Sequence, residues 1–290
     1  MKVLVTGSKG QVGFFLTKQL AGKADVLAVD RDELDITDQA GVNSVVTTFK
    51  PDVIINAAAH TAVDKAESEI ELSYKINRDG PMYLAQAANK VGAAILHIST
   101  DYVFSGDKES AYLETDAPDP QGVYGQSKLA GELVVAESCP RHIILRTAWV
   151  FSEHGNNFVK TMLRLGAERE ELGIVGDQFG GPTYAGDIAA ALITIADKIY
   201  TEKECLWGTY HFSGVPHVSW FEFAEAIFEQ AQKQGVLKAT PRLKSITTQD
   251  YPTPAKRPAN SKLECRQIKE SFCIIESNWL LQLNALAYYS

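Results

Sequence analysis

The sequence predicts an α/β protein built on a doubly wound parallel sheet, with a smaller, discontinuous lobe drawn from its C-terminal half. Three observations predict it: an N-terminal strand that runs through a glycine turn into a helix, apolar runs that alternate with helical stretches up to about residue 150, and a less regular, loop-rich remainder. The first strand is Lys2-Val3-Leu4-Val5-Thr6, followed by Gly7-Ser8-Lys9-Gly10-Gln11-Val12-Gly13 and by a helix marked by Phe14, Phe15, Leu16 and Leu20. Gly7 permits a tight turn, and Gly10 lets the backbone approach a pyrophosphate. Gly13 lets the helix pack closely on the strand, and the helix N-terminus presents free N–H groups.

The second strand, Val26-Leu27-Ala28-Val29, ends at Asp30, about where an acidic side chain accepts hydrogen bonds from an adenosine ribose. Arg31 follows, and its guanidinium suits a 2′-phosphate, so NADH and NADPH both stay open. Asp35-Ile36-Thr37-Asp38 offers a cap for a helix through Val42, Val45, Val46 and Phe49, with Asp35 near the adenine. Asp52–Asn56, Ala94–Ser99 and His142–Arg146 are the third, fourth and fifth strands, each preceded by a helical stretch, so the crossovers are right-handed. Ligands bind at the carboxyl ends of such strands. The chemically unusual runs lie there: Ala57-Ala58-Ala59-His60-Thr61, Ser99-Thr100-Asp101-Tyr102 and Thr147-Ala148-Trp149. Small residues at 57–59 admit a flat ring or dinucleotide to the backbone, and Thr61 can hydrogen-bond it. Asn77 sits mid-helix, where its amide can interrupt the helix ladder and hold a water; it stays outside the catalytic set.

Beyond residue 150, Gly155-Asn156-Asn157-Phe158 opens a helix and 175–183 reads as a long polar loop. Tyr184 to Ile199 is a helix, Gly208 to Phe212 a late strand, and Ser219 caps an amphipathic helix to Gln234. Three prolines hold 251–261 extended, and Arg257 within it offers a fork suited to phosphate. The expected partition is a Rossmann-type core of 1–150 with roughly 184–213, and a substrate lobe of roughly 151–183 with 214–290.

The 290 residues are 45% hydrophobic and 22% charged, which describes a soluble globular chain with ample core. A net charge of −8 and the absence of a long basic run argue against nucleic acid. No stretch approaches the ~20 apolar residues of a membrane span, and the N-terminus begins as a strand, so a cytoplasmic protein with no membrane partner is expected. Cys139, Cys205, Cys265 and Cys273 form no C-x-x-C pair, so they read as ordinary thiols and no metal site is nominated.

The chemistry centres on Val123-Tyr124-Gly125-Gln126-Ser127-Lys128, where a tyrosine and a lysine four residues apart share one helix face. A phenol titrates near ~10, and an adjacent ammonium favours its ionised form, which equips the pair for carbonyl chemistry. Thr100 adds a hydroxyl that can hold a substrate oxygen beside Tyr124.

With these residues assembled, the chain resembles the extended short-chain dehydrogenase/reductase superfamily and, within it, the dTDP-4-dehydrorhamnose reductases. The likeness spans nearly the whole length. It rests on Gly7 to Gly13 with G-x-x-G-x-x-G spacing, Asn56 to Glu67, Ser99 to Phe104, Tyr124 with Lys128, Arg146 to Trp149, Asp177-Gln178 with Pro182-Thr183, and Arg257-Pro258. The resemblance implies Thr100, Tyr124 and Lys128 as the catalytic set. It implies Gly7, Gly10, Gln11, Val12, Gly13, Asp30, Arg31, Asp35, Ile36, Ala59, His60 and Thr61, with Tyr124 and Lys128, as cofactor contacts. Thr100, Asp101, Tyr102, Trp149, Val63, Asp64, Glu67 and Arg257 would face the substrate. Phe151 stands where family members often place tyrosine. The implied reaction is NADPH- or NADH-dependent reduction of a dTDP-linked 4-keto sugar, by a monomer or homodimer, with Mg²⁺ associated by resemblance alone. Two other readings stay open: an epimerase or dehydratase of the same superfamily, and a noncatalytic sugar-nucleotide-binding subunit.

Overall fold

The computed structural model describes residues 1–202 and 206–289, so Cys205 lies outside the described residues. Its central sheet has six strands: β1 (Lys2–Thr6), β2 (Asp25–Val29), β3 (Val53–Asn56), β4 (Ala94–Thr100), β5 (His142–Thr147) and β6 (Gly208–His211). Their order is β6-β5-β4-β3-β1-β2, and every neighbouring pair is parallel. The chain steps outward from β1 to β2, then crosses back to β3 on the other side of β1. This reversal opens a crevice at the carboxyl ends of β1 and β3, and the glycine turn and the 57–61 loop leave the sheet there.

The main helices are α1 (Gln11–Leu20), α2 (Gln39–Phe49), α3 (Gly80–Val91), α4 (Val123–Ser138), α5 (Phe158–Glu168), α6 (Ala185–Thr201) and α7 (Trp220–Lys233). On one sheet face α1 and α6 bury Phe15, Leu16, Leu20, Ile188, Leu192 and Ile195. On the other, α2, α3 and α4 bury Val42, Val46, Leu84 and Val135. Both faces are covered, which is why the strands read as unbroken apolar runs rather than alternating ones. Asp38 caps α2 by accepting the Ala40 N–H, and Gly92 ends α3 in the left-handed region.

A second cluster forms the core of the smaller lobe: Phe151, Val159 and Leu163 pack with Phe223, Ile227, Phe228, Trp279 and Leu283. Ser219 caps α7 in a reciprocal box with Glu222, where the Ser219 N–H donates to Glu222 Oε2 at 2.6 Å and the Glu222 N–H to Ser219 Oγ at 3.1 Å.

Two expectations change. The stretch 175–183 is not one loop: Phe179–Gly180 pairs with Val218–Ser219 and with Asn260–Ser261, and Thr183–Tyr184 pairs with Val150–Phe151. Pairings of two residues leave no periodicity to read. Nor do all of residues 214–290 follow the smaller lobe. The helix Arg266–Phe272 turns Ile268 and Phe272 into the core of the central sheet, with Phe272 edge-on to Tyr210 at 5.1 Å. Among the described residues, no helix is long and apolar enough to cross a membrane.

Candidate active site

Gly7 turns the chain out of β1 at φ 69°, and a Cβ there would lie 2.6 Å from the Ala58 nitrogen, so glycine is required by both conformation and space. The Gly10 N–H closes the turn onto Gly7 O at 3.0 Å. Gly13 lies behind the turn, where any side chain would collide with Gly7 O, as close helix–strand packing demands. A cavity of about 520 Å³ opens beside the turn, walled by Gly7, Gly10, Asp30, Arg31, Asp35, Ile36 and Ala57 to His60. Asp30 Oδ2 accepts the Lys9 N–H at 2.9 Å, which ties the end of β2 to the turn. Asp35 accepts both the Thr37 N–H and its hydroxyl, and these bonds hold its carboxyl below the ordinary value. Leu72, Lys75 and Ile76 also line it, and nothing in their sequence spacing marks them apart from ordinary helix residues.

A second cavity of about 570 Å³ shares Gly10 and Ala57 to Ala59 with the first and runs on to Tyr124 and Lys128. Gln11, Val12, Thr61, Val63, Thr100, Asp101, Tyr102 and Trp149 line it as well. The Gln11 amide oxygen accepts from Ser152 Oγ at 2.9 Å and Asn157 Nδ2 at 3.0 Å, which joins the glycine turn to the smaller lobe. At the ends of β4 and β5 three buried polar atoms in the cavity wall lack partners: Ser99 Oγ, Asp101 Oδ2 and Thr147 Oγ1. Unpaired buried polar groups are costly, and these three lie just behind the surface of one cavity. With the glycine cradle, this fits a nicotinamide dinucleotide.

The helix α4, which carries Tyr124 and Lys128, is positioned by three features. Gly125 lies so close to Tyr102 O, and Gly131 to Asn77 O, that no Cβ fits at either place. The Val123 N–H at the α4 N-terminus donates to Glu67 Oε1 at 2.9 Å. One turn beyond Lys128, Glu132 pairs with Arg146 on β5, Nη2 to Oε2 at 2.6 Å.

These contacts bury Tyr124 and Lys128 together, and burial dominates both. It pushes the Tyr124 phenol well above its ordinary value, with the Thr100 hydrogen bond opposing. It lowers the Lys128 ammonium to about 8, with Glu132 opposing. Lys128 Nζ donates to Ile98 O at 2.7 Å. The pair shares one low-dielectric pocket, and the groups that oppose burial are Thr100 for the phenol and Glu132 for the ammonium. The Thr100 hydroxyl donates to Asp101 Oδ1 at 2.9 Å and also hydrogen-bonds Tyr124, in the sense that favours the phenolate.

Three residues expected at the substrate have partners within the chain. Arg257 donates to Asp64 Oδ2 at 2.7 Å and to Tyr102 Oη at 3.0 Å, with Asp64 as its counter-ion and Tyr102 in the cavity wall. Glu67 accepts the Val123 N–H described above. Asn77, expected to break the helix ladder, lies in a π-helical turn over Lys75–Asp79. It accepts the His60 N–H at 2.8 Å and donates to His60 O at 3.1 Å and Ser127 Oγ at 3.0 Å, which leaves no free amide hydrogen for a water. It fixes the loop that carries His60. Trp220 was missed. Its indole stacks on Trp149 at 3.5 Å and lines the same cavity, but an apolar residue at the start of an amphipathic helix reads as packing. Trp149 itself adopts φ 47°, rare for a large side chain. Among the described residues, no group of three or more His, Cys, Asp or Glu is placed to hold a metal ion.

A phenol held protonated at the end of a dinucleotide groove, with a buried lysine one turn along its helix, belongs to the chemistry of the extended short-chain dehydrogenase/reductases. The chain belongs to the family described as RmlD substrate binding domain, whose model matches residues 1–288. It is 52% identical over 291 residues to a dTDP-4-dehydrorhamnose reductase of Aggregatibacter actinomycetemcomitans, covering 100% of this chain and 99% of that one. The dTDP-4-dehydrorhamnose reductase structure from Clostridium acetobutylicum matches with a TM-score of 0.91 at 42% identity, covering 98% of this chain and 97% of that one. The Bacillus anthracis dTDP-4-dehydrorhamnose reductase, solved in complex with NADP, also gives a TM-score of 0.91, at 37% identity over 100% of this chain and 99% of that one.

Proposed function

We propose that this chain reduces the C4 ketone of dTDP-4-dehydro-L-rhamnose to dTDP-L-rhamnose, with NADPH or NADH as reductant. The observation that carries the reading is the Tyr124 phenol, buried and protonated where the dinucleotide groove opens into the second cavity. Reduced nicotinamide, when bound, supplies hydride to the carbonyl carbon. The backbone from Gly7 to Val12 and the small residues Ala57 to Ala59 would hold the dinucleotide, with Asp30 and Arg31 at its adenosine end.

Tyr124 donates its proton to the oxygen as negative charge develops there. An alkoxide is a far stronger base than a phenolate, so a phenol kept protonated at neutrality transfers its proton downhill even with its acidity weakened by burial. Lys128 would hold the nicotinamide ribose. Trp149 and Trp220 give the apolar face of a 6-deoxy sugar its wall. We read the enzyme as a cytoplasmic monomer or homodimer that needs neither membrane nor nucleic acid; the net charge of −8 supports the last point.

Absorbance at the nicotinamide band, with the keto sugar and each cofactor in turn, tests this. One reduced cofactor consumed per dTDP-L-rhamnose formed is the expected result. Sugar conversion without net oxidation would instead mark an epimerase or dehydratase, and sugar-nucleotide binding without turnover a noncatalytic subunit.

A further inference from the structure

We propose that Asp101 supplies the proton that restores Tyr124 after each turnover, acting through the Thr100 hydroxyl. The proposal rests on the reductive reading above.

The Thr100 hydroxyl and Asp101 Oδ1 lie 2.9 Å apart: the hydroxyl donates while Asp101 is ionised, and when Asp101 is protonated the carboxyl donates and the hydroxyl turns its one proton to Tyr124. The hydroxyl oxygen accepts the Tyr102 N–H at 3.2 Å and hydrogen-bonds Tyr124. Tyr124, Thr100 and Asp101 thus form one chain of hydrogen bonds from the reacting phenol to a carboxyl group. Of the other polar groups nearby, the Asn77 amide is bonded to His60 and Ser127, and Lys128 gives one of its three N–H bonds to Ile98 O.

Asp101 is unusual for a carboxylate. It is 4% exposed, and its Oδ2 faces no hydrogen-bond partner in the wall of the second cavity. A buried carboxylate left so poorly paired is expected to take up a proton. Burial raises this one to about 6, against the hydrogen bonds of Ser261 and Thr100. The groups around it are Tyr124 from α4, Tyr102 beside it and Ser261 from the 260–261 strand. Arg257 and Asp64 act on Tyr102 and offset one another there.

The step balances without an oxidant or reductant. Once Tyr124 has protonated the product oxygen, its phenolate takes the Thr100 hydroxyl proton. Thr100 takes the proton of the Asp101 carboxyl, and the Asp101 carboxylate regains one from water. One solvent proton is consumed per ketone reduced. Asp101 acts through Thr100 and is a positioning and proton-supplying residue rather than one that touches the reacting atoms.

Rapid-mixing absorbance at the nicotinamide band with Asp101→Asn tests it. Asparagine keeps the shape and the acceptor oxygen for Thr100 but holds no transferable proton. The expected result is a burst in the variant, with turnovers after the first slowed about 10²-fold relative to it, no such burst in wild type, and recovery on adding a small carboxylic acid. In the enzyme without cofactor, the infrared band of a protonated carboxyl should titrate near neutrality in wild type and vanish in Asp101→Asn. Later turnovers as fast as the first in the variant, no rescue by the acid, or no such band in wild type would each overturn the proposal. A wild-type enzyme that oxidises no cofactor would strike the reductase reading and this one together, whereas a working wild type matched by Asp101→Asn strikes this one alone.

Discussion

Replacing Arg146 by methionine tests whether a buried ion pair holds the catalytic helix against the sheet. The guanidinium meets Glu132 through two bonds, Nε to Oε1 at 2.9 Å and Nη2 to Oε2 at 2.6 Å, with side chains 5% and 4% exposed, and it lies 5.0 Å over the Phe104 ring. Methionine keeps most of the volume but strands the Glu132 carboxylate in the interior. Breaking such a pair from one side costs about 3–5 kcal/mol, because the remaining charge has lost its partner and cannot recover water. With a urea slope of about 3 kcal/mol/M, the midpoint falls by about 1 to 1.7 M. Urea unfolding followed by tryptophan fluorescence measures it. The double variant Arg146→Met with Glu132→Leu should recover most of the loss, since two apolar side chains of matching size leave nothing unpaired. Glu132→Leu alone should also weaken cofactor binding at neutral pH, because Glu132 is the group that supports the Lys128 charge against burial. A single variant that loses less than about 1 kcal/mol, or a double variant less stable than the single, would show that α4 is held by packing and not by this pair.

Four further outcomes follow from the same geometry. Tyr124→Phe should bind cofactor normally yet lose about 10²- to 10⁴-fold in kcat, measured by steady-state kinetics beside cofactor titration; retained turnover would remove the phenol from the chemistry. Gly180→Ala places a Cβ 2.6 Å from Trp149 Cε2 and 2.8 Å from its Nε1, so the indole must shift off Trp220; the sugar KM should rise about ten- to a hundredfold while the cofactor Kd holds. Lys128 is lowered to about 8, so its ribose-holding charge is lost as pH rises through that value, and the cofactor Kd should climb there in wild type but stay level in Lys128→Met. His211 is lowered to about 3 by burial, and it is neutral, with Nδ1–H donated to Tyr112 O at 3.1 Å. Its folded value lies below the unfolded ~6.5, so the unfolded state binds the extra proton; stability is whole above that pH and declines toward pH 3. His211→Gln should flatten the denaturation slope across that window by up to about 1.4 kcal/mol per pH unit.

The sheet was readable because a strand buried on both faces is apolar at every position: Val3 to Val5 and Val53 to Ile55 could be placed without any partner in view. The site was readable for a related reason. A parallel sheet delivers the ends of its strands to one edge, so Gly7, Ala57, Thr100 and Trp149 had to converge once the strands were assigned. What the sequence did not carry is the pairing between residues far apart in the chain: Arg257 meets Asp64, and Glu67 meets the helix end that starts at Val123. A charged side chain announces that it will find a partner; sequence alone does not say which one.

The Tyr124–Lys128 pair shows the same limit in energetic form. Four-residue spacing guarantees that the two groups share a face, but their protonation is set by the competition between mutual attraction and the loss of water. Spacing encodes only the first. Here burial acts on both groups: the ammonium is lowered and turned onto the Ile98 carbonyl, while the phenol bears the full cost of ionising in the interior. A tyrosine poised as a phenolate would suit removal of a proton from an alcohol. One held as a neutral phenol suits giving a proton to a ketone under reduction, and it then needs a route by which the proton is replaced, which makes Asp101 behind Thr100 as informative as the pair itself.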